Sequence, residues 1–377
     1  MLGRGPVKKI KFNLPTHYMI ANIQTTGVKY IGSKNTLIPA IVSTISAYCV
    51  TQEPLRLIDA FTGTTRVAQA FRSQGWHTQT SDISWASEPY AHAFLIRTEE
   101  SGHRIPQLID ALNTTPPVAD WITRNYCDVS GAKGGIVRMW KPENGRKADG
   151  IRNRIAAMLA AEEITYHESM ILIACLIFAL DKVDNSVGVQ QAYLKDWCKR
   201  AHNSILLEDL PFYDGHPATH YIGSCLEVPY GPADVAYLDP PYSGHSYSTY
   251  YHIWDSITKW DKPDVGLDTN RRSDRVSKSD DFDPAMVSKW NKKTTALQAF
   301  LDLCARLPVK WLLISYSDES LIPVDTLTAA LEAKFHNLRK LAIPYKRNIM
   351  SQIGNAVLHN SEFNTENNEL LLLIEKN

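Results

Sequence analysis

The chain has 377 residues, 44% hydrophobic and 21% charged, with 40 basic side chains against 40 acidic ones. That length holds one large α/β domain with an insertion, or two domains, and the composition is that of a globular protein. The longest apolar run, Met170 to Leu180, is too short to span a bilayer and no signal-peptide pattern opens the chain, so no membrane partner is expected.

From Met1 to Gln52 there are six basic residues (Arg4, Lys8, Lys9, Lys11, Lys29, Lys34) and no acid. Within this stretch Lys29-Tyr30-Ile31-Gly32-Ser33-Lys34 stands just ahead of a helical segment. A Gly-Ser-Lys loop at a helix start can receive an anion, because the first backbone N–H groups are unpaired. It is not a Walker A loop, since the leading glycine of that motif is missing. Arg56 to Phe61 then reads as a strand, Thr62-Gly63-Thr64-Thr65 as a tight turn, and Arg66 to Gln74 as a helix that Gly75 stops. A second strand begins at His77 and ends at Asp82, nineteen positions after Gly63. An acid at that spacing, at the end of the second strand of a β-turn-α-β unit, is placed to receive ribose hydroxyls.

Between about residues 98 and 215 the pattern becomes helical and rich in Arg, Lys and Asn, which reads as an insertion into the α/β domain. Arg124 to Arg154 carries eight basic residues against three acids. A local excess of that kind can mark a phosphate track on a neutral protein, although a solvated loop is the competing reading. The candidates for phosphate or base-edge contacts here are Arg138, Lys141, Arg146, Lys147, Arg152 and Arg154, with Lys29 from the N-terminal loop. A further basic loop, Arg271, Arg272, Arg275 and Lys278, is interleaved with Asp274, Asp280, Asp281 and Asp283, so a merely solvated loop is an equal alternative there.

The later strands are Ala233 to Leu238, Lys310 to Tyr316 and Asn368 to Glu375, with an amphipathic helix (Leu297, Phe300, Leu301, Cys304) ahead of the second. Strands alternating with helices predict a doubly wound α/β sheet. Six cysteines are scattered without a C-x-x-C pair, so neither zinc nor a disulfide framework is expected, and a reducing cytosol fits best.

The most informative segment is Val235-Ala236-Tyr237-Leu238-Asp239-Pro240-Pro241-Tyr242. An apolar strand delivers a loop in which two prolines fix φ twice, and Pro241 also holds Pro240 extended. That loop keeps a carboxylate, an outward carbonyl and an aromatic face at fixed spacing. The set suits a planar base with an exocyclic amine: two acceptors for the amine protons and a ring to stack on. Four residues alone also fit an ordinary turn.

The quartet with its strand resembles the D-P-P-Y signature of amino-methyltransferases, which act on adenine N6 or cytosine N4. Together with the Lys29–Lys34 loop and Asp59-Ala-Phe61-Thr-Gly63-Thr-Thr65, in that order, the chain is similar to the D12 class, the Dam-like α-group of adenine-N6 DNA methyltransferases. The likeness extends over Leu176 to Trp197, Tyr247 to Pro263, Ile314 to Asp318 and the final strand. It implies a Rossmann-like sheet that binds S-adenosylmethionine (AdoMet) in residues 1–97 and 216–377, with a mostly helical target-recognition region in 98–215. It implies double-stranded DNA as substrate, in a prokaryotic or phage-encoded cytoplasmic enzyme. That enzyme would be solitary or part of a restriction-modification pair whose nuclease acts separately.

Residue by residue, the resemblance implies that Gly63 lets the backbone approach AdoMet, Asp59 meets its amino group and Phe61 covers its methionine part. Asp82 takes the ribose hydroxyls, and Tyr30 and Lys34 line the same pocket. Asp239 and the Pro240 carbonyl accept the amine protons of the target base, and Tyr242 stacks on it after it leaves the duplex. His245 and His252 stay outside the catalytic set. Two departures stand out. Thr65 occupies the place of a frequent second glycine, so the backbone there is expected to manage without positive φ. Ser224 occupies the place of an Asp at the cofactor's adenine edge. Cytosine-N4 methylation, RNA adenine methylation and a DNA-binding module that has lost catalysis are the alternative readings. Asp239 favours adenine over cytosine, and an intact Asp239-to-Tyr242 argues against loss of catalysis.

Overall fold

The computed structural model describes residues 23–30, 32–49, 55–130, 136–190, 193–241, 247–266, 271–276, 279–280, 282, 288–317, 320–335, 337–346 and 366–376. Eleven strands occur among them. In chain order they are β1 Arg56–Asp59, β2 His77–Asp82, β3 Cys127–Ser130, β4 Ile136–Arg138, β5 Thr219–Ile222 and β6 Ala233–Leu238, then β7 Val265–Gly266, β8 Arg271–Arg272, β9 Val309–Ser317, β10 Leu338–Lys346 and β11 Glu366–Glu375. Seven of them form one sheet in the order β10-β11-β9-β6-β1-β2-β5, while β3-β4 and β7-β8 are separate two-stranded pairs. β9, β6, β1, β2 and β5 run parallel. β11 runs against both its neighbours, β9 and β10.

Alternation along each strand sends side chains to both faces, and both faces are covered. Leu57, Val235, Leu313 and Leu371 pack on one side with the helices Ile38–Tyr48 and Arg66–Arg72. Ile58, Ala236, Leu312 and Leu372 pack on the other with Lys293–Arg306 and Val324–Phe335. This double burial explains the near-continuous apolar runs of β6, β9 and β11. β5 and β10 carry weaker patterns and were not expected from the sequence: β5, at one edge, has no fully buried residue along its length.

The chain leaves the sheet after Asp82 and re-enters it at Thr219. Most of the intervening segment is helical, including Ile105–Asn113, Pro142–Ala160 and Tyr166–Lys182. Tyr166–Lys182 is buried at every position from Glu168 to Leu180, which is the apolar run seen in the sequence. It starts with a capping box: Thr165 Oγ1 accepts from the Glu168 N–H at 3.1 Å, and Glu168 Oε2 accepts from the Thr165 N–H at 2.8 Å. These helices share a core with Ile253, Trp254 and Ile257 of the helix His252–Lys259. The Arg152 guanidinium donates to the Ile257 and Thr258 carbonyls at the end of that helix, at 2.6 and 3.0 Å. Thus the insertion is fixed to the segment that follows the Asp-Pro-Pro loop. None of the described helices is long and apolar enough to cross a membrane.

β1, β2 and β6 end on the same edge of the sheet: Asp59, the last residue of β1, is paired in register with Thr80 on one side and Tyr237 on the other, and β2 runs on to Asp82 and β6 to Leu238. From β1 the chain runs outward through β2 to β5, then returns to β6 on the opposite side. In an open α/β sheet such a reversal leaves a crevice at the carboxyl ends of the strands, where ligands bind.

Candidate active site

The cleft at this reversal is open to solvent and holds about 1020 Å³ of space. Its walls include Tyr30, Gly32, Ser33 and Lys34, the Asp59–Thr64 turn, the Asp82-Ile83 corner, Gly223, Cys225 and the Asp239-Pro240-Pro241 segment. The sequence motifs thus converge on one place.

The turn after β1 is built by its backbone. Gly63 has φ +49, a left-handed conformation that favours glycine, and a Cβ there would lie 3.7 Å from the Tyr30 ring. Thr65 corrects the expectation drawn from the sequence: its φ is +63, so the backbone makes the left-handed turn without glycine. For a β-branched residue that conformation costs about 1–2 kcal/mol. Three hydrogen bonds hold it there. Thr65 N–H donates to Thr62 O at 2.7 Å, Gln69 N–H to Thr65 O at 2.9 Å, and Gln69 Nε2 to Thr65 Oγ1 at 2.9 Å.

Asp59 is 1% exposed. Its Oδ2 accepts from Thr62 Oγ1 at 3.1 Å, whereas Oδ1 is buried and has no partner. Burial, reinforced by the nearby charges of Asp239 and Asp82, raises its pKa to about 7 against the hydrogen bonds from Thr62 and Phe61. Asp82 is tied differently. Its Oδ2 accepts from the Gly63 N–H and its Oδ1 from the Ser84 N–H, both at 2.8 Å. Burial raises its pKa to about 6, the two N–H bonds oppose that, and Asp255 adds to it. Asp82 therefore shapes the turn as well as facing the cleft.

Lys34 is buried, with its ammonium 3.0 Å from Asp239 Oδ1 and 3.2 Å from Glu369 Oε1. Phe61 meets the Trp290 ring edge-on at a centroid distance of 5.0 Å, and both line the cleft. Tyr30 stacks on Tyr251 at 4.5 Å. Ser224 does not line the cleft. Its Oγ accepts from the Leu226 N–H at 3.3 Å, while its neighbours Gly223 and Cys225 reach the wall. Tyr242, His245 and Lys278 lie outside the described residues. His252 is fully buried, and its pKa is lowered to about 3, first by burial and then by Arg271, Arg272 and Arg275.

The residues singled out as DNA contacts separate into three groups. Arg152, Arg272 and Arg275 are buried: Arg152 on carbonyls, Arg272 on Asp261 and Asp274 at 2.7 and 2.9 Å, and Arg275 beside Asp255 at 3.5 Å. Lys147 donates to the Asn113 and Thr115 carbonyls at 2.7 and 2.6 Å, and Lys29 pairs with Asp184 at 2.7 Å. Arg146 and Arg154 are exposed, the latter 3.1 Å from Glu163; Arg138, Lys141 and Arg271 are half-buried. The guanidiniums of Arg152 and Arg272, buried with their hydrogen bonds made inside the protein, hold the fold together and are not available to a phosphate; Arg275 is as deeply buried, but its Nε and Nη1 have no hydrogen-bond partner.

Sequence reasoning missed Ile83, Trp290 and Glu369. Ile83 is an apolar residue left 36% exposed directly after the predicted acid, which was a readable signal. Trp290 and Glu369 belong to no motif, and only chain folding brings Trp290 to the cleft and Glu369 to Lys34.

The arrangement fits a cofactor carrying a cationic amine. Asp59 offers an unpartnered buried oxygen, Gly63 leaves its side of the cleft open, and Phe61 and Trp290 supply apolar walls. Comparison with known proteins identifies the family. The family model of the D12 class N6 adenine-specific DNA methyltransferases matches residues 30–313. Among curated proteins, "Modification methylase StsI" of Streptococcus sanguinis is 27% identical over 81% of this chain and 46% of its own length. "Modification methylase LlaI" of Lactococcus lactis subsp. lactis is 26% identical over 80% of this chain and 48% of its own length. The chain thus spans about half the length of these two. "Type II methyltransferase M.NlaIII" of Neisseria lactamica is 26% identical over 85% of this chain and 92% of its own length. With a family model matched over most of its length, this chain belongs to the D12 class of N6 adenine-specific DNA methyltransferases.

Proposed function

We propose that the protein transfers a methyl group from AdoMet to the N6 amine of an adenine swung out of duplex DNA at a specific sequence. The observation that carries this reading is the cleft itself, which Asp59, Asp239 and Pro240 line together, Asp59 with one buried oxygen that has no hydrogen-bond partner. Asp59, Asp82, Phe61, Gly63 and Tyr30 would hold AdoMet, which would supply a methyl already activated by its sulfonium, so no metal is required.

The protein's task is the nucleophile. The adenine N6 lone pair is delocalised into the ring and is a poor nucleophile as it stands. Asp239 and the Pro240 carbonyl accept the two amine protons, which returns electron density to nitrogen and aims its lone pair. They also stabilise positive charge as it develops there. This is positioning combined with preorganised electrostatics. Asp239 need not take a proton before attack. As the N6–methyl bond forms, the sulfonium S–methyl bond breaks to leave a neutral thioether, and the surplus N6 proton then passes by way of Asp239 to solvent. Tyr242 is the stacking partner in this reading and offsets part of the unstacking cost.

Residues 98–215 form the target-recognition region in this proposal, between catalytic parts 1–97 and 216–377. Burial narrows its candidate contacts to the side chains that reach solvent, above all Arg146, Arg154, Lys141 and Arg138. In this reading the enzyme is either solitary or one half of a restriction-modification pair, whose nuclease would act separately on the unmodified site. The test is methyl transfer from labelled AdoMet to unmethylated duplex DNA and to RNA, followed by identification of the modified base. N6-methyladenine in DNA is the expected product. N4-methylcytosine, labelled RNA alone, or no transfer would overturn the proposal in favour of one of the alternatives.

A further inference from the structure

Lys34 places a single ammonium between two carboxylates, Asp239 Oδ1 at 3.0 Å and Glu369 Oε1 at 3.2 Å. Lys34 is 7% exposed and Glu369 is 8% exposed. Glu369 comes from β11, the strand that runs against the rest of the sheet, where it is paired in register with Ser317 of β9. Ser315 Oγ of β9 donates at 2.9 Å to the same oxygen, Glu369 Oε1, and helps to hold the carboxylate in place.

A structural account of Glu369 is weak on energetic grounds. A buried ion pair barely repays its desolvation, and a second buried acid on an ammonium that is already paired adds further cost. That arrangement is understandable if the site needs it. An ammonium devoted to Asp239 alone would draw electron density from the carboxylate that must accept the amine protons. Shared with Glu369, the same ammonium fixes the direction of Asp239 and leaves one net negative charge across the three groups.

We propose that Glu369 is a positioning residue for methyl transfer: by sharing Lys34 it keeps Asp239 oriented and basic enough to accept the N6 protons. The inference rests on the reading of Asp239 given above. The other ionisable groups facing Asp239 are Asp59 of β1 and Tyr237 of β6. Asp239 helps raise the pKa of each, after burial. Glu369 adds to the effect on Tyr237 but not on Asp59, so substitution at position 369 eases the tyrosine, whose titration lies well above neutral pH, and leaves the surroundings of Asp59 as they are.

The test compares Glu369→Gln, Glu369→Asp and Asp239→Ala in the full chain, using unmethylated duplex DNA and AdoMet. For Glu369→Gln, kcat is expected to fall roughly tenfold, less than the hundredfold scale of a group that touches the reacting atoms. KM for AdoMet and DNA should stay within about twofold, and AdoMet affinity by calorimetry should follow the KM. The acid limb of the kcat profile should move to lower pH, because losing a like charge and gaining an undivided ammonium both favour ionised Asp239. A merely structural Glu369 would lower the melting temperature and leave that limb in place. Unchanged kcat and an unmoved limb in Glu369→Gln overturn the inference. If Glu369→Gln does not melt cooperatively, Glu369→Asp decides, since it keeps the charge but shortens the reach. Reduced kcat with unchanged KM then supports the inference, and wild-type kcat overturns it. Retained methyl transfer in Asp239→Ala would overturn the reading of the site itself, a different failure from a silent position 369.

Discussion

Buried charge in the cleft is mainly acidic and incompletely satisfied: Asp59 has an oxygen without a partner, and Asp59 and Asp82 both have raised pKa values. Basic groups of the insertion include the buried Arg152 and the half-buried Lys147, whose hydrogen bonds end on carbonyls of the protein itself. Most buried polar groups in folded proteins find partners, so an orphaned one is informative. Asp59 points to a ligand. The completed bonds of Arg152 point to assembly of the fold. A basic stretch in a sequence therefore does not by itself mark a nucleic-acid surface, whereas an unsatisfied acid in a crevice does mark a binding site.

The sharpest way to break this contrast is Asp239→Ala. Methyl transfer should fall at least about a hundredfold, the scale of deleting one preorganised polar group, while AdoMet affinity by calorimetry changes little. Near-normal turnover would mean the cleft's acids have another purpose.

Asp82→Ala comes next. Losing charge-assisted bonds worth about 1.5–3 kcal/mol should weaken AdoMet binding roughly tenfold to a hundredfold, measured without DNA. Because Asp82 also receives the Gly63 and Ser84 N–H groups, the melting temperature should fall too. Unchanged affinity would remove Asp82 from the cofactor site.

The insertion side is tested by pairing Arg152→Met with Arg146→Ala. Removing the buried guanidinium leaves two carbonyls without donors and should destabilise the fold by about 1–3 kcal/mol in denaturant titration. The salt slope of DNA binding by the folded fraction should not change. Arg146→Ala should do the reverse, leaving stability intact and reducing the salt slope by about one if it meets a phosphate. If Arg152→Met is as stable as wild type but has the smaller slope, the two regions do not differ in the way described.

The smallest expected effect concerns pH. Asp59 and Asp82 have folded-state pKa values of about 7 and about 6, above their unfolded values. Their protonated forms favour the folded state without cofactor. That stability is complete below the unfolded values and is lost as pH rises through about 6 and 7. A cationic amine beside Asp59 reverses the preference, so AdoMet affinity should rise severalfold between pH 5.5 and 8. Asp59→Asn should flatten that rise. A flat profile in the wild type would separate Asp59 from the cofactor's amine.

Much of this was legible in the sequence because it is local. The alternation of β6, the turn at Gly63, the nineteen-position spacing to Asp82 and the stiffness of Asp239-Pro240-Pro241 each depend on a few neighbouring residues. Backbone propensity and side-chain period are enough to read them. Even there Thr65 misled, because three hydrogen bonds from the surrounding turn hold a left-handed conformation that propensity disfavours. What only the tertiary structure decided depends on which strands become neighbours. Glu369 meets Lys34 because β11 inserts beside β9, Trp290 meets Phe61 across the cleft, and Arg152 turns inward onto the end of a distant helix. Charge and residue type are properties of the sequence, but burial and partnership arise from long-range packing, and they determine whether a charge holds the fold together or remains available to a ligand.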